Sequence, residues 1–246
     1  MRDWALEKES RVAFIRQVLD EARAEGIVYG NSGGKDCTLV GILCRAACAS
    51  VLGVIMPCGS KRNYGEDMDD ARSAAGQYQI DTIVVDLSAA REAVLASLRD
   101  AGDISTAAVS NIAPRLRMAT LYTLAQSRNS LVAGTGNRSE RHMGYFTKWG
   151  DGACDFNPIG DLTVREVYAF LRYLDAPASI IEKAPSAGLF EGQTDEQEMG
   201  ISYEAIDTYL LEGRAEPADQ MIIERYHSVS GHKRKLAPIY GEEVNS

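Results

Sequence analysis

The amino-acid sequence predicts an α/β fold: an open, doubly wound parallel sheet with helices on both faces. Two observations lead to this prediction. Through the first 135 residues, short apolar runs alternate with longer segments that have helical periodicity. The apolar runs are also continuous instead of alternating with polar residues, which is typical of parallel strands that are buried on both faces.

The predicted elements follow one another in a regular order. Residues 8–25 carry apolar side chains at helical spacing and predict an amphipathic helix before the sheet begins. Four apolar runs predict strands at residues 27–30, 51–56, 81–86 and 130–135. The segments between these strands predict helices at residues 36–49, 66–78, 88–100 and 111–128.

The second half of the chain has a different pattern. Residues 136–160 are rich in Gly, Asp and Asn, which predicts a long functional loop. Helices are expected at 163–174 and 202–211, and residues 184–200 are expected to form a mobile lid. The basic segment from about residue 228 is expected to be extended.

Length and composition exclude several classes of protein. A chain of 246 residues, 45% of them hydrophobic, is ordinary for one globular domain, and we expect a single domain over residues 1–246. The net charge of −9 argues against binding nucleic acid through bulk charge. No apolar run approaches the roughly 18 residues of a membrane-spanning helix. Five cysteines without a secretory signal indicate reduced thiols in the cytoplasm.

The glycine-rich turn after the first predicted strand is the strongest candidate for a binding site. It reads YGNSGGKDC at residues 29–37. Backbone N–H groups of Ser32, Gly33 and Gly34, next to a helix N-terminus, would suit a phosphate group. Asp36 would repel that anion unless a cation, usually Mg²⁺, bridges the two. The alternative is a plain strand–helix turn in which Asp36 is only an early-helix charge.

This turn resembles the SGGxDS pyrophosphate loop of the N-type ATP pyrophosphatases, which adenylate a substrate carboxylate or carbonyl. A second string, GTGNRSERHMGYFTKWGDGACDFNPIGDL at residues 134–162, resembles the central motif of the NAD synthetases within that group. Further matches follow in order at residues 111–118, 182–189, 192–207 and 231–235. The resemblance implies a Rossmann-like sheet of the adenine nucleotide alpha hydrolase type and a homodimer.

The resemblance also implies a reaction. ATP would activate deamido-NAD as an adenylate with release of pyrophosphate, and ammonia would then displace AMP to give NAD. Glutamine-dependent relatives carry an added amidase domain, and because the synthetase motifs extend from residue 30 to near 235 we expect no such domain here. Two alternatives stay open. One is another adenylating pyrophosphatase with a different acceptor, such as a tRNA-modifying thiolase, and the other is a nucleotide-binding module with weakened turnover.

By resemblance, ATP binding is expected from the loop and two later hydroxyl groups: Gly30, Asn31, Ser32, Gly33, Gly34, Lys35, Asp36, Cys37, Thr135 and Ser186. Mg²⁺ is expected to be held by Asp36 and Glu140, although Glu140 could also be a plain N-terminal helix residue. Two positions depart from the family pattern. Cys37 replaces the final serine of the loop, and Val164 stands where the family usually has a lysine for ATP phosphates. Arg165 and Lys183 are the candidates to replace that lysine.

By resemblance, the residues expected to bind deamido-NAD are Arg115, Phe146, Lys148, Asp155, His232 and Lys233. Phe146 would offer a flat face to the pyridine ring. Asp151 is expected to take a proton from ammonium, and Lys148 to stabilise charge during catalysis. Without the resemblance, Arg115 would be a solvated helix residue, Phe146 a core residue and the two tail residues part of a solvated charge run.

Overall fold

The computed structural model describes residues 2–59, 65–182 and 195–241, and it confirms the α/β fold predicted from the sequence. The strands are β1 (Gly26–Gly30), β2 (Val51–Ile55), β3 (Asp81–Val84) and β4 (Ser130–Ala133). They form one parallel sheet in the order β3–β2–β1–β4. The chain therefore reverses direction across the sheet between β1 and β4, whose carboxyl ends flank the crevice where α/β proteins bind ligands.

The helices in the described part of the chain are α1 (Trp4–Ala22), α2 (Lys35–Ala47), α3 (Glu66–Gln77), α4 (Ser88–Ser97), α5 (Thr106–Ser110), α6 (Ile112–Gln126), α7 (Arg138–Met143), α8 (Val164–Tyr173), α9 (Ala178–Glu182), α10 (Asp195–Met199), α11 (Tyr203–Glu212) and α12 (Pro217–Val229). A 3₁₀ turn follows at Gly231–Lys233. None of the helices described is both long and apolar enough to cross a membrane.

Both faces of the sheet are covered by apolar layers. On one face, Ile27 and Tyr29 of β1 pack in a core with Leu39 of α2 and Phe170 of α8. On the other face, Val28 of β1 joins a second core with residues of β2, β4 and α6. Successive β1 residues thus alternate between two buried layers, which is why the strand reads as an unbroken apolar run.

A third apolar cluster supports the elements that follow β4. Residues from α7, α8, α10, α11, α12 and the turn between α10 and α11 form it: Met143, Val164, Met199, Ile201, Tyr203, Ile206 and Ile223. This cluster joins α11 and α12 to α7 and α8, and α8 in turn packs on α2.

The structure differs from the sequence expectations after residue 135. The segment expected as a loop contains α7, because Asn137 and Glu140 form a capping box that starts a helix. The segment expected to be extended from about residue 228 is the end of α12 followed by the 3₁₀ turn. Of the expected lid, residues 195–199 form α10 and residues 184–194 lie outside the described residues.

Close packing of α2 on the sheet generates a first prediction. A Cβ added at Gly41 would lie 2.5 Å from the hydroxyl of Tyr29, whose side chain is 1% exposed and has no room to move. Gly41→Ala should therefore destabilise the fold by about 1–3 kcal/mol, measured by urea denaturation, despite the better helix propensity of alanine. Gly76→Ala in α3 is the matched control, since its added Cβ meets no described atom within 4 Å. Equal effects of the two substitutions would contradict this packing.

The contact between α7 and α12 includes two stacked imidazole rings. The ring centroids of His142 and His227 are 4.1 Å apart with an interplanar angle of 18°. Arg234 donates a hydrogen bond of 3.3 Å to the backbone carbonyl of His142. Burial, with the nearby charges of His227 and Arg234, lowers the pKa of His142 to about 4.

This shift predicts a pH dependence of stability. An unfolded histidine has a pKa of about 6.5, so the unfolded state binds the proton first and the fold loses stability as the pH falls from about 6.5 towards 4. His142→Gln should therefore show a smaller decrease in Tm between about pH 7 and pH 5 than the unmodified protein. His232→Gln, which removes an exposed histidine, should keep the original slope. Equal slopes for His142→Gln and the unmodified protein would exclude His142 as the group responsible.

Candidate active site

A cavity of about 570 Å³ opens at the carboxyl ends of β1 and β4. Its wall combines the turn after β1, the end of β2, one face of α6 and the loop after β4. Residues of α7, α10, α12 and the C-terminal segment complete it. The cavity therefore lies at the reversal of strand order, as expected for an open α/β sheet.

The turn after β1 has the geometry of an anion-binding loop. Gly33 has φ = +75°, and a Cβ there would overlap the carbonyl oxygen of Asp67, so glycine is required. Asn31 accepts a 3.3 Å hydrogen bond from the Gly33 N–H and donates to the Ala71 carbonyl at 3.0 Å. Gly34 is the N-cap of α2, so the positive end of the α2 dipole lies beside this turn. Because glycine has no side chain, no side chain caps this end of the helix.

Cys37 belongs to the internal hydrogen bonding of the same turn. Its Sγ lies 3.3 Å from Ser32 Oγ and donates to the Gly34 carbonyl at 3.1 Å. Burial raises the pKa of this thiol, so it stays protonated and can donate. The thiol thus occupies the serine position of the family motif while keeping a hydrogen bond within the loop.

Two carboxylates form an acidic pair in the cavity wall: Asp36 at the start of α2 and Glu140 in α7. Asn137 connects them. Its Nδ2 donates to Asp36 Oδ1 at 3.2 Å, and its backbone N–H donates to Glu140 Oε2 at 3.1 Å. Burial, followed by the charge of Asp36, raises the pKa of Glu140. Because the Asp36 charge disfavours ionisation of Glu140, a cation bound beside these two half-buried carboxylates would be favourable.

The acidic pair fits Mg²⁺. In the part of the chain that the structure describes, no group of three or more His, Cys, Asp or Glu residues could hold a metal ion. Mg²⁺ sites in nucleotide-binding proteins commonly use one or two carboxylates and complete the shell with phosphate oxygens and water. The donor set of Asp36 and Glu140 is therefore suited to a metal that arrives with a nucleotide.

A second polar group in the cavity wall surrounds Asp151. Asp151 Oδ1 accepts a 3.0 Å hydrogen bond from the Thr147 N–H. Lys233 donates to the carbonyls of Gly144 and Phe146, both at 2.9 Å, and its Nζ lies 5.5 Å from the Phe146 ring centroid. Burial raises the pKa of Asp151, whereas hydrogen bonds from Thr147 and the charge of Arg117 oppose that shift. The structure thus brings Asp151, Phe146 and Lys233 together in the cavity wall.

Arg117 is a cavity residue that the sequence interpretation missed. It is half-buried in the wall, and its Nε donates to the Met56 carbonyl at 3.1 Å. The predicted residue, Arg115, lies two positions away on α6, is exposed and does not line the cavity. Helical periodicity could have identified Arg117, because Pro114, Arg117 and Leu121 share the inner face of α6.

Several predicted residues have other partners in the chain. Asp155 accepts from the Val132 N–H at 2.7 Å and from the Tyr122 hydroxyl at 3.2 Å, so it fixes β4. Lys148 donates to the His232 carbonyl at 2.6 Å. Asp155, Lys148 and His232 are outside the cavity wall, whereas Thr135 lies in it. Ser186 is outside the described residues.

Val164 and Arg165 do not supply a cation to the cavity. Val164 is buried in the third cluster beside the cavity. Arg165 pairs with Glu204 and Glu212 at 3.4 and 3.6 Å and is not part of the cavity wall. The other candidate, Lys183, lies outside the described residues.

Known proteins have similar sequences and folds. The chain is 47% identical over 242 residues to the NH(3)-dependent NAD(+) synthetase of Carboxydothermus hydrogenoformans, covering 96% of this chain and 98% of that one. The structure of NMN synthetase from Francisella tularensis has a TM-score of 0.93 at 35% identity, covering 98% of this chain and 100% of that one. The NH3-dependent NAD synthetase from Campylobacter jejuni has a TM-score of 0.78 at 29% identity, covering 97% and 99%.

The match extends over nearly the whole length of the chain and confirms the resemblance found in the motifs. Residues 7–237, which include the glycine-rich turn, both carboxylates and Asp151, match the family model for NAD synthase, and this chain belongs to that family.

Proposed function

We propose that this protein is an ammonia-dependent NAD synthetase, a ligase that amidates deamido-NAD with consumption of ATP. The observation that carries the proposal is that one cavity combines the glycine-rich turn, the acidic pair and the Asp151 group. The 47% identical NH(3)-dependent NAD(+) synthetase supports the same activity. Of the alternatives, a tRNA-modifying thiolase is disfavoured by this relative and by the net charge of −9.

The glycine-rich turn and the α2 N-terminus would bind the phosphates of ATP. Mg²⁺ held by Asp36 and Glu140 would offset phosphate charge. The nicotinate carboxylate attacks the α-phosphorus of ATP, the bond to the β-phosphate breaks, and pyrophosphate leaves. Thr135, in the wall at the end of β4, would contact the nucleotide. These residues bind and orient the reactants, which is the larger part of catalysis in phosphoryl chemistry.

Asp151 is the proposed general base of the second step. It takes a proton from ammonium, and the ammonia formed attacks the carbonyl carbon of the adenylate, from which AMP leaves. Burial raises the pKa of Asp151 towards the working pH, which suits a general base. Phe146 would stack on the pyridine ring, and Lys233, fixed on the Phe146 carbonyl, would stabilise negative charge nearby.

Further properties belong to the same proposal. The nitrogen donor is free ammonia, supported by the NH(3)-dependent relatives. The protein functions in the cytoplasm, as its free cysteines suggest, and acts as a homodimer. The dimer is supported by the exposed positions of Arg115 and His232, which would then face substrate across the interface.

The first test is product formation. Purified protein with ATP, Mg²⁺, deamido-NAD and ammonium should yield NAD, AMP and pyrophosphate in equal amounts, measured by chromatography. Glutamine in place of ammonium should yield no NAD above the background from contaminating ammonia. Formation of ADP and phosphate in place of AMP and pyrophosphate would contradict the mechanism.

A second candidate is amidation of nicotinic acid mononucleotide to NMN. The specific observation is the TM-score of 0.93 to the NMN synthetase, against 0.78 to the NAD synthetase from Campylobacter jejuni. The chemistry at the carboxylate is identical for the two acceptors. A comparison of kcat/KM for both acceptors at saturating ATP and ammonium decides between them, and a higher value for the mononucleotide would replace the first assignment.

Replacement of Asp151 should separate the two steps. Asp151→Asn should lower kcat for amide formation on the order of 10²–10⁴-fold, because proton removal from ammonium is lost. Adenylate formation, measured as acceptor-dependent exchange of labelled pyrophosphate into ATP, should continue. Asp103→Asn, an exposed loop substitution, is the control for both measurements. Equal loss of exchange and amide formation in Asp151→Asn would contradict its role as the base.

A further inference from the structure

Lys35 is a buried cation that contacts Asp36 of the acidic pair from outside the cavity wall. Its side chain is only 7% exposed, and Nζ lies 2.8 Å from Asp36 Oδ2. The other oxygen of Asp36, Oδ1, accepts from Asn137 Nδ2 at 3.2 Å. The Asp36 carboxylate is therefore fixed on one side by an ammonium group and on the other by an amide.

The groups around this ammonium attract a cation, beginning with the Asp36 carboxylate that it contacts. The rings of Tyr168 and Tyr203 lie 6.0 and 5.7 Å from Nζ, within the range of cation–π attraction. Since burying an ammonium group is costly, its retention here indicates an electrostatic role and not one of space filling.

Val164 approaches the same place from another helix. Val164 and Tyr168 are four residues apart on α8, so they share a helix face. Val164 also packs in the third cluster with Tyr203, whose ring faces Lys35. A lysine at position 164 would therefore direct its side chain towards the region that the Lys35 ammonium occupies.

We propose that Lys35 is the positioning residue of the acidic pair, which orients Asp36 for Mg-ATP and supplies from α2 the positive charge that Val164 of α8 lacks. Lys35 lies outside the cavity wall, so it acts through Asp36. This inference rests on the proposed function, because it presupposes a metal–nucleotide complex at Asp36 and Glu140.

The test is calorimetric binding of Mg-ATP without acceptor or ammonium, so that no turnover occurs. Lys35→Met should weaken this binding by about tenfold or more, because a charge-assisted contact to Asp36 is lost. The KM for the acceptor should change by less than about twofold, since the effect is local to Asp36. Lys8→Met, a substitution on α1, is the matched control and should bind Mg-ATP like the unmodified protein.

The double variant Lys35→Met with Val164→Lys distinguishes charge from packing. It should recover Mg-ATP binding to within about threefold of the unmodified protein, because the ammonium is returned from α8. If Lys35→Met alone does not fold, as judged by thermal unfolding, the double variant and Lys35→Gln carry the test. Failure of a folded double variant to bind better than a folded Lys35→Met or Lys35→Gln would overturn the inference.

Two further outcomes are distinct from each other. If the unmodified protein binds Mg-ATP and Lys35→Met binds it equally well, this inference is wrong while the proposed function stands. If the unmodified protein binds no Mg-ATP, both are wrong.

Discussion

The connection of two half-buried carboxylates through one asparagine is the constraint on which the site depends. Asp36 and Glu140 come from helices that follow different strands, and Asn137 holds both at once through its side chain and its backbone. Such a pair is unfavourable without positive charge close by. Lys35 provides one such charge in the protein itself, and the proposed Mg²⁺ would provide a second one when nucleotide is present. The start of α2 and the start of α7 are thus linked, because their two carboxylates depend on the same nearby positive charge.

The order of strands explains why these groups can meet. Asp36 follows β1 and Glu140 follows β4, roughly a hundred residues later, yet β1 and β4 are neighbours in the sheet. Parallel strands place their carboxyl ends on the same edge, so loops distant in sequence become adjacent in space. The capping box of Asn137 and Glu140 then serves two purposes, since the contacts that start α7 also orient a carboxylate towards the cavity.

The sequence predicted most of the sheet and the local motifs, and it failed where tertiary contacts decide. The glycine-rich turn is determined by neighbouring residues, such as Gly33 with its positive φ, and it formed as predicted. The position of Arg117 in the cavity wall was missed because it depends on which face of α6 meets the sheet, and motif matching does not contain that information. α12 was missed because its apolar residues, Ile223 among them, are specified by a cluster with α7 and α11 rather than by strong periodicity of their own.

The size of the cavity bears on the proposed homodimer. Ligand pockets of about 300–1,000 Å³ hold a single drug-sized molecule, and 570 Å³ lies in the middle of that range. The proposed reaction brings together ATP and a second nucleotide, and the cavity lined by the described residues has room for only part of them. Arg115, exposed on α6, and His232, exposed beside Lys148, both lie on the surface outside the cavity wall. A second copy of the chain that covers this surface would exclude water from the adenylate. Ammonia could then react with the adenylate before water hydrolyses it.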